Sequence, residues 1–260
     1  MAQLHEVSLT RGGRRVLHRV SLEAPAGRVT AIAGPNGSGK TTALALLAGD
    51  LTPQTGEVRL GGEPMARLSP AERARRRAVM PQHFEIAFDF TAREVVEMGL
   101  LPDAPAAAAR GLVDRALEEA GLGPLADRAV TRLSGGERQR VAFARALAQI
   151  HSAEAVGAAG PRTLLLDEPT ASLDLAHQAL MISALRRLAE RGVGVAVVLH
   201  DLNLAAAADA IVLLKAGEVA ADGPPEAVLT EARIAAVYAA PVRLVEHEGR
   251  RLVALVPPGG

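Results

Sequence analysis

The chain of 260 residues carries 29 Lys plus Arg against 29 Asp plus Glu, a formal net charge of zero that argues against a general nucleic-acid coat. Hydrophobic residues make up 49% of it, yet there are only four Phe, one Tyr and no Trp, so the core has to be built mainly from Ala, Val, Leu and Ile, and a stacking platform for single-stranded nucleic acid is ruled against. The lack of cysteine removes disulfides, thiolate zinc sites, iron–sulfur clusters and cysteine nucleophiles together, and fits a reducing compartment.

The N-terminus has no apolar signal-peptide core, and the longest apolar runs fall far short of the roughly 20 residues that span a bilayer, so any membrane role has to come through a partner. In chain order, LHEVSLT and RVLHRVSLEA alternate around RGGR and predict a small N-terminal antiparallel hairpin. The runs at 28–34, 163–169, 194–201 and 210–217 are short and almost unbroken, as strands covered on both faces are, and several lead through a turn into a helical stretch. That is the pattern of a parallel sheet flanked by helices. Between Phe84 and about Arg162, the segments 93–100, 106–120 and 136–150 have helical spacing with no strand between them, and predict an inserted helical subdomain. A short strand, EVAADG, and a helix begun by Pro225 follow, and the chain runs out at VPPGG. The expected fold is an α/β P-loop NTPase (RecA-like) core with that hairpin and that insertion, one domain over 1–260, with core residues 1–84 and 161–260 and a helical subdomain over 85–160.

GPNGSGKT, Gly34 to Thr41, fits G-x-x-x-x-G-K-[ST] and lies after a buried strand and at the opening of a helix. Gly34, Gly37 and Gly39 let the backbone turn its N–H groups inward, so that with Pro35, Asn36, Ser38 and Thr42 they cradle a polyphosphate at the positive end of the helix dipole. Lys40 is placed to reach the β and γ phosphates, and the Thr41 hydroxyl to ligate Mg²⁺. LLLDEP supplies the second carboxylate site: Asp167 ends an apolar strand at the sheet edge where open α/β sheets bind ligands. Glu168 follows, placed to orient or deprotonate the attacking water.

With LSGGERQR, Leu133 to Arg140, added to these two motifs, the chain resembles the nucleotide-binding subunits of ABC transporters over nearly its whole length. The resemblance implies ATP and Mg²⁺ as ligands, and a head-to-tail homodimer in which Ser134, Gly135, Gly136 and Glu137 of one subunit close over the ATP held by the other. Ser134 followed by Glu137 also reads as a helix capping box. By the same resemblance Gln82 touches Mg²⁺, Ser172 and Asp174 belong to a loop at the dimer interface, and His200 contacts the γ-phosphate and the catalytic Glu168. An aromatic residue that commonly stacks on adenine is replaced by Arg11, whose guanidinium is able to stack on a purine.

Residues 75–99 resemble the import subfamily serving iron-siderophore, cobalamin and heme permeases, and DEPTASLDLAHQ with the Ala- and Gly-rich connection 151–162 resembles its hemin-import branch. The connection reads as a surface loop. The implied partners are a multi-span membrane permease dimer and, through it, an extracytoplasmic substrate-binding protein, with no nucleic acid. The implied place is peripheral, at the cytoplasmic face of the inner membrane. Phe84, Phe88 and Phe90 crowd after Gln82 as expected docking anchors, with packing of the helical subdomain onto the core as the alternative. A chromosome-organising or repair ATPase would need heptad arms between Gln82 and Leu133, and no heptad run occurs there.

Overall fold

The computed structural model describes residues 1–256 apart from 85, 87, 159, 248 and 249. In chain order, β1 (Ala2–Arg11), β2 (Arg14–Ala24) and β3 (Val29–Ala33) precede α1 (Lys40–Ala48). Then come β4 (Thr55–Leu60), β5 (Glu63–Pro64), α2 (Pro70–Arg76) and β6 (Arg77–Met80). Only helices are described between β6 and β7 (Thr163–Asp167): α3 (Ala92–Glu97), α4 (Ala106–Glu119), α5 (Gly135–Ala155) and short 3₁₀ turns. After β7 follow α6 (Leu175–Glu190), β8 (Gly194–Val198), α7 (Leu202–Ala205), β9 (Ala210–Lys215), β10 (Glu218–Gly223), α8 (Pro225–Val228), α9 (Glu231–Tyr238), β11 (Val242–His247) and β12 (Arg250–Leu255).

The central sheet has the order β10-β9-β3-β8-β7-β6, parallel except for the edge strand β10. Its inner strands are apolar on both faces because both are covered. Alternate residues go to opposite sides: Ala31, Leu164, Leu166, Val195, Val197, Ile211 and Leu213 face the core shared with α4, α5 and α6, whereas Ile32, Leu165, Ala196, Val198, Val212 and Leu214 face α1 and the N-terminal sheet. The predicted hairpin forms around Gly12 and Gly13, but belongs to a larger antiparallel sheet of order β2-β1-β4-β5. Strand β4 escapes sequence patterning because only Val58 and Leu60 of it are buried.

Helix starts follow side-chain chemistry. Ser69, Thr91 and Ser134 each accept a backbone N–H three residues on, and Glu72, Glu94 and Glu137 return the bond, closing capping boxes on α2, α3 and α5. Two departures from the sequence reading stand out. The C-terminal hairpin of β11 and β12 is unforeseen, since most of its side chains are exposed and leave no apolar signature; of the expected VPPGG end, the residues after Val256 lie outside the described residues.

The connection from His151 is not a surface loop at its start. Helix α5 runs through it to Ala155, with His151, Ser152 and Ala153 buried. Leu101 N–H donates to Ser152 Oγ at 3.1 Å, His151 Nε2 lies 3.3 Å from Glu119 Oε2, and Glu154 pairs with Arg162 and Arg191. Burial opposes ionisation of Glu119, but His151 and Arg115 outweigh it and hold the carboxyl at about 2. A carboxyl depressed in the folded state contributes stability above its unfolded value that is lost as pH falls through the folded one. Glu119→Gln is therefore expected to lower the melting temperature at pH 7. The gap from wild type should narrow as pH falls from 4.5 toward about 2, which a pH series of thermal melts checks.

Candidate functional site

Strand β3 delivers the phosphate loop to the C-terminal edge of the sheet, and α1 carries it away. Gly34 has φ +147°, and a Cβ there would lie 2.2 Å from the Leu214 carbonyl oxygen, so no other residue fits between β3 and β9. Inside the loop, the buried Lys40 ammonium donates to the carbonyls of Gly34 at 2.8 Å and Pro35 at 2.9 Å. Burial lowers its pKa, while Glu168 and Asp167 pull it back up. Ser38 is buried, and its carbonyl accepts the Gly217 N–H at 3.0 Å, pinning the loop to the β9–β10 turn.

The edge of the neighbouring strands completes the site. Asp167, at the end of β7, is buried and accepts from Thr41 Oγ1 at 3.4 Å; burial raises its pKa, against the Thr41 hydrogen bond. Glu168 adopts φ +50°, an uncommon conformation for a residue with a Cβ. Its carboxylate is held from two sides, by Gln82 Nε2 at 2.9 Å and His200 Nε2 at 2.5 Å. A cavity of about 430 Å³ opens here, lined by Asn36, Gly37, Gly39, Lys40, Thr41, Thr42, Gln82, Glu168 and His200, with Val16 as its apolar wall. Thus Gln82, Glu168 and His200, far apart in sequence, meet over the phosphate loop.

Two groups of expected residues lie elsewhere. Arg11 is exposed at the tip of the β1–β2 hairpin and does not line the cavity; Val16, unnoticed in the sequence, does. Irregularities in β1–β2 pairing between Leu4 and Val7, Val7 and Leu9, and Leu9 and Thr10 shift which residues face the loop. Ser134, which caps α5, and Gly135, Gly136 and Glu137, which open it, lie away from this cavity. They abut the loop after Glu168 instead: a Cβ on Gly136 would lie 2.6 Å from the Ser172 carbonyl oxygen. Asp174 caps α6, accepting from His177 N at 2.9 Å with the His177 ring Nδ1 at 2.7 Å.

The three expected docking phenylalanines divide. Phe88 is 72% exposed, with its ring 6.3 Å from that of Phe90 in an edge-on contact. Phe84 and Phe90 are partly buried against the core, and the Arg145 guanidinium sits 5.1 Å over the Phe84 ring. Phe84→Ala is expected to cost about 2 kcal/mol of stability, and Phe88→Ala almost none, a contrast that thermal melting of the two variants checks.

A glycine-lined anion nest at a helix start, a buried lysine, and a carboxylate pair at the end of β7 define a nucleotide-hydrolysing cassette. The family model for the ABC transporter matches residues 17–171, and the chain belongs to that family. It is similar to the hemin import ATP-binding protein HmuV of Rhodopseudomonas palustris, 49% identical over 87% of this chain and 86% of the relative. The protein of that name from Rhizobium meliloti is 46% identical over 94% of this chain and 93% of its own. Among solved structures, a dimeric bacterial ABC transporter cassette superposes with a TM-score of 0.75 at 31% identity, over 86% of this chain and 99% of that one. A metal-chelate type ABC transporter in an inward-facing conformation gives 0.77 at 26% identity, over 98% and 96%. The chain is an ABC-type ATPase, and no described helix is long and apolar enough to cross a membrane.

Proposed function

We propose that this subunit hydrolyses ATP as a homodimer to power import of hemin through a multi-span permease dimer. It would sit peripherally at the cytoplasmic face of the inner membrane, with an extracytoplasmic binding protein supplying the cargo. The observation that carries the dimer is the separation within one chain of two half-sites. The phosphate loop, Gln82, Glu168 and His200 line one cavity, with Asp167 bonded to Thr41 at its edge, while Ser134–Glu137 cap a helix elsewhere. The N-terminus of α5 offers free N–H groups and the positive end of a helix dipole, suited to the γ-phosphate on a partner subunit. The hemin assignment rests on the relatives' names.

Lys40 and the phosphate-loop amides hold the β and γ phosphates, and Glu168 accepts a proton from water as it attacks the γ-phosphorus, while the bond from that phosphorus to the β–γ bridging oxygen breaks and ADP leaves with the electron pair. His200 and Gln82 fix the Glu168 carboxylate in place. The oxygen-rich pairing of Thr41 and Asp167, with the Gln82 side chain nearby, fits a hard divalent cation such as Mg²⁺. When bound, the cation neutralises charge developing on the phosphates. Val16 gives the nucleotide an apolar wall, and Arg11 reaches adenine only if the hairpin tip bends in.

Core residues 1–84 and 161–260 and the helical unit 85–160 are proposed to move against each other on nucleotide binding, carrying Phe88 and its permease contact. The decisive experiment is transport by the reconstituted complex with hemin, a ferric siderophore and cobalamin compared. Hemin alone should enter in an ATP-dependent manner, and preferential uptake of another cargo would overturn the substrate assignment. Phe88→Ala should in addition lose permease pull-down while keeping its ATPase fold.

A further inference from the structure

Glu168 is held at more than its carboxylate. Gln139, on the first turns of α5, donates its side-chain N–H to the Glu168 backbone carbonyl at 2.7 Å. The bond spans 29 positions of sequence and joins the helix that carries Ser134–Glu137 to the peptide of the residue that lies over the chain's own phosphate loop. Around it the loop after Glu168 is clamped again. Gln178 donates to the Thr170 carbonyl at 3.3 Å and the Leu173 carbonyl at 3.2 Å, and Ser172 presses its carbonyl against Gly136.

A residue with a Cβ at φ +50° persists only where its surroundings over-determine it. Here Gln82 and His200 fix the acid end and Gln139 fixes the peptide end. Were the peptide released, the backbone would relax toward an ordinary conformation and swing the carboxylate away from the cavity. Gln139 also borders a cavity of about 220 Å³ between α5 and the loop carrying Gln82, so the helix has room to shift against this edge of the sheet.

From this geometry we infer that Gln139 is a positioning residue for hydrolysis. It ties the orientation of Glu168 in one subunit's own site to the placement of the α5 helix that covers the partner's site. Docking of α5 onto a second nucleotide is thereby felt at the catalytic peptide through one hydrogen bond, which links the two sites of the dimer. The inference rests on the reading of Glu168 as the hydrolytic base.

Gln139→Leu leaves a side chain of comparable bulk and removes the donor. With Mg-ATP it is expected to lower turnover roughly 10- to 100-fold, the scale of a displaced catalytic group, while the KM for ATP stays within about twofold. Because binding and closure are intact, the variant should accumulate an ATP-dependent dimer on size-exclusion chromatography, where the wild type turns over and separates. Wild-type turnover in Gln139→Leu overturns the proposal. So does reduced turnover without the dimer, since loss of the helix's own packing would remove closure along with chemistry. Glu168→Gln, run alongside, separates the two readings. If Glu168→Gln traps the dimer and Gln139→Leu behaves as wild type, only the positioning role fails. If Glu168→Gln hydrolyses normally, the assignment of Glu168 itself is lost.

Discussion

Glu168→Gln is expected to slow ATP hydrolysis roughly 10²- to 10⁴-fold, the range a general base contributes, while leaving ATP binding intact. The surroundings explain why the substitution should be this clean. Gln82 donates to one carboxylate oxygen, and an amide oxygen accepts that bond as well. The other oxygen faces His200 Nε2, and an amide N–H can donate to that nitrogen in its unprotonated form. A glutamine at 168 thus keeps both partners and the shape of the cavity, and loses only the ability to take a proton. ATP should then be held unhydrolysed between two subunits. The measurement is steady-state phosphate release together with size-exclusion chromatography in Mg-ATP. A variant releasing phosphate at the wild-type rate would remove Glu168 from the chemistry.

The parts of this site that are legible in sequence are those whose geometry is local. The phosphate loop needs glycines, a lysine and a hydroxyl at fixed offsets between a strand and a helix, and the structure puts them there, with Lys40 and Thr41 opening α1. Asp167 and Glu168 are legible because an apolar run that stops at two carboxylates marks a strand end. Gln82 and His200 carry no such local mark. They were reachable only through family resemblance, and it is the parallel sheet, with β6, β7 and β8 side by side, that brings them to one carboxylate.

What sequence could not supply is pairing register and side-chain reach. The family resemblance points to Arg11, while the structure adds Val16, beside an irregularity of the β1–β2 ladder, to the cavity lining. Gln139 looks like one more polar residue on an amphipathic helix until its contact with the Glu168 carbonyl is seen. The strands β4, β11 and β12 bury few side chains, so their pattern is nearly that of a loop.

Lys40→Met should abolish ATP-dependent stabilisation. Wild-type protein at about 100 times its ATP Kd gains about 2.7 kcal/mol of stability from binding, visible as a rise in melting temperature. The lysine makes that binding possible with charge-assisted hydrogen bonds, worth about 1.5–3 kcal/mol each, so losing two of them weakens affinity by roughly 10²- to 10⁴-fold. Without nucleotide the effect on the fold should be small, because the ammonium is buried, burial already disfavours its charge, and a methionine of similar length fills the same space. The opposing contribution is the loss of partners for the Gly34 and Pro35 carbonyls, which the polar mouth of the cavity allows water to satisfy. Ser134→Arg provides the contrast. Ser134 lies outside this cavity, so that variant should keep the ATP-dependent shift of a single subunit and fail to dimerise, since a bulky cation would occupy the helix start meant for the partner's γ-phosphate. Differential scanning fluorimetry across an ATP titration, beside chromatography in Mg-ATP, distinguishes the two variants. Identical behaviour of both would mean that the phosphate loop and the α5 N-terminus act on the same nucleotide within one chain, and the two-half-site arrangement would have to be abandoned.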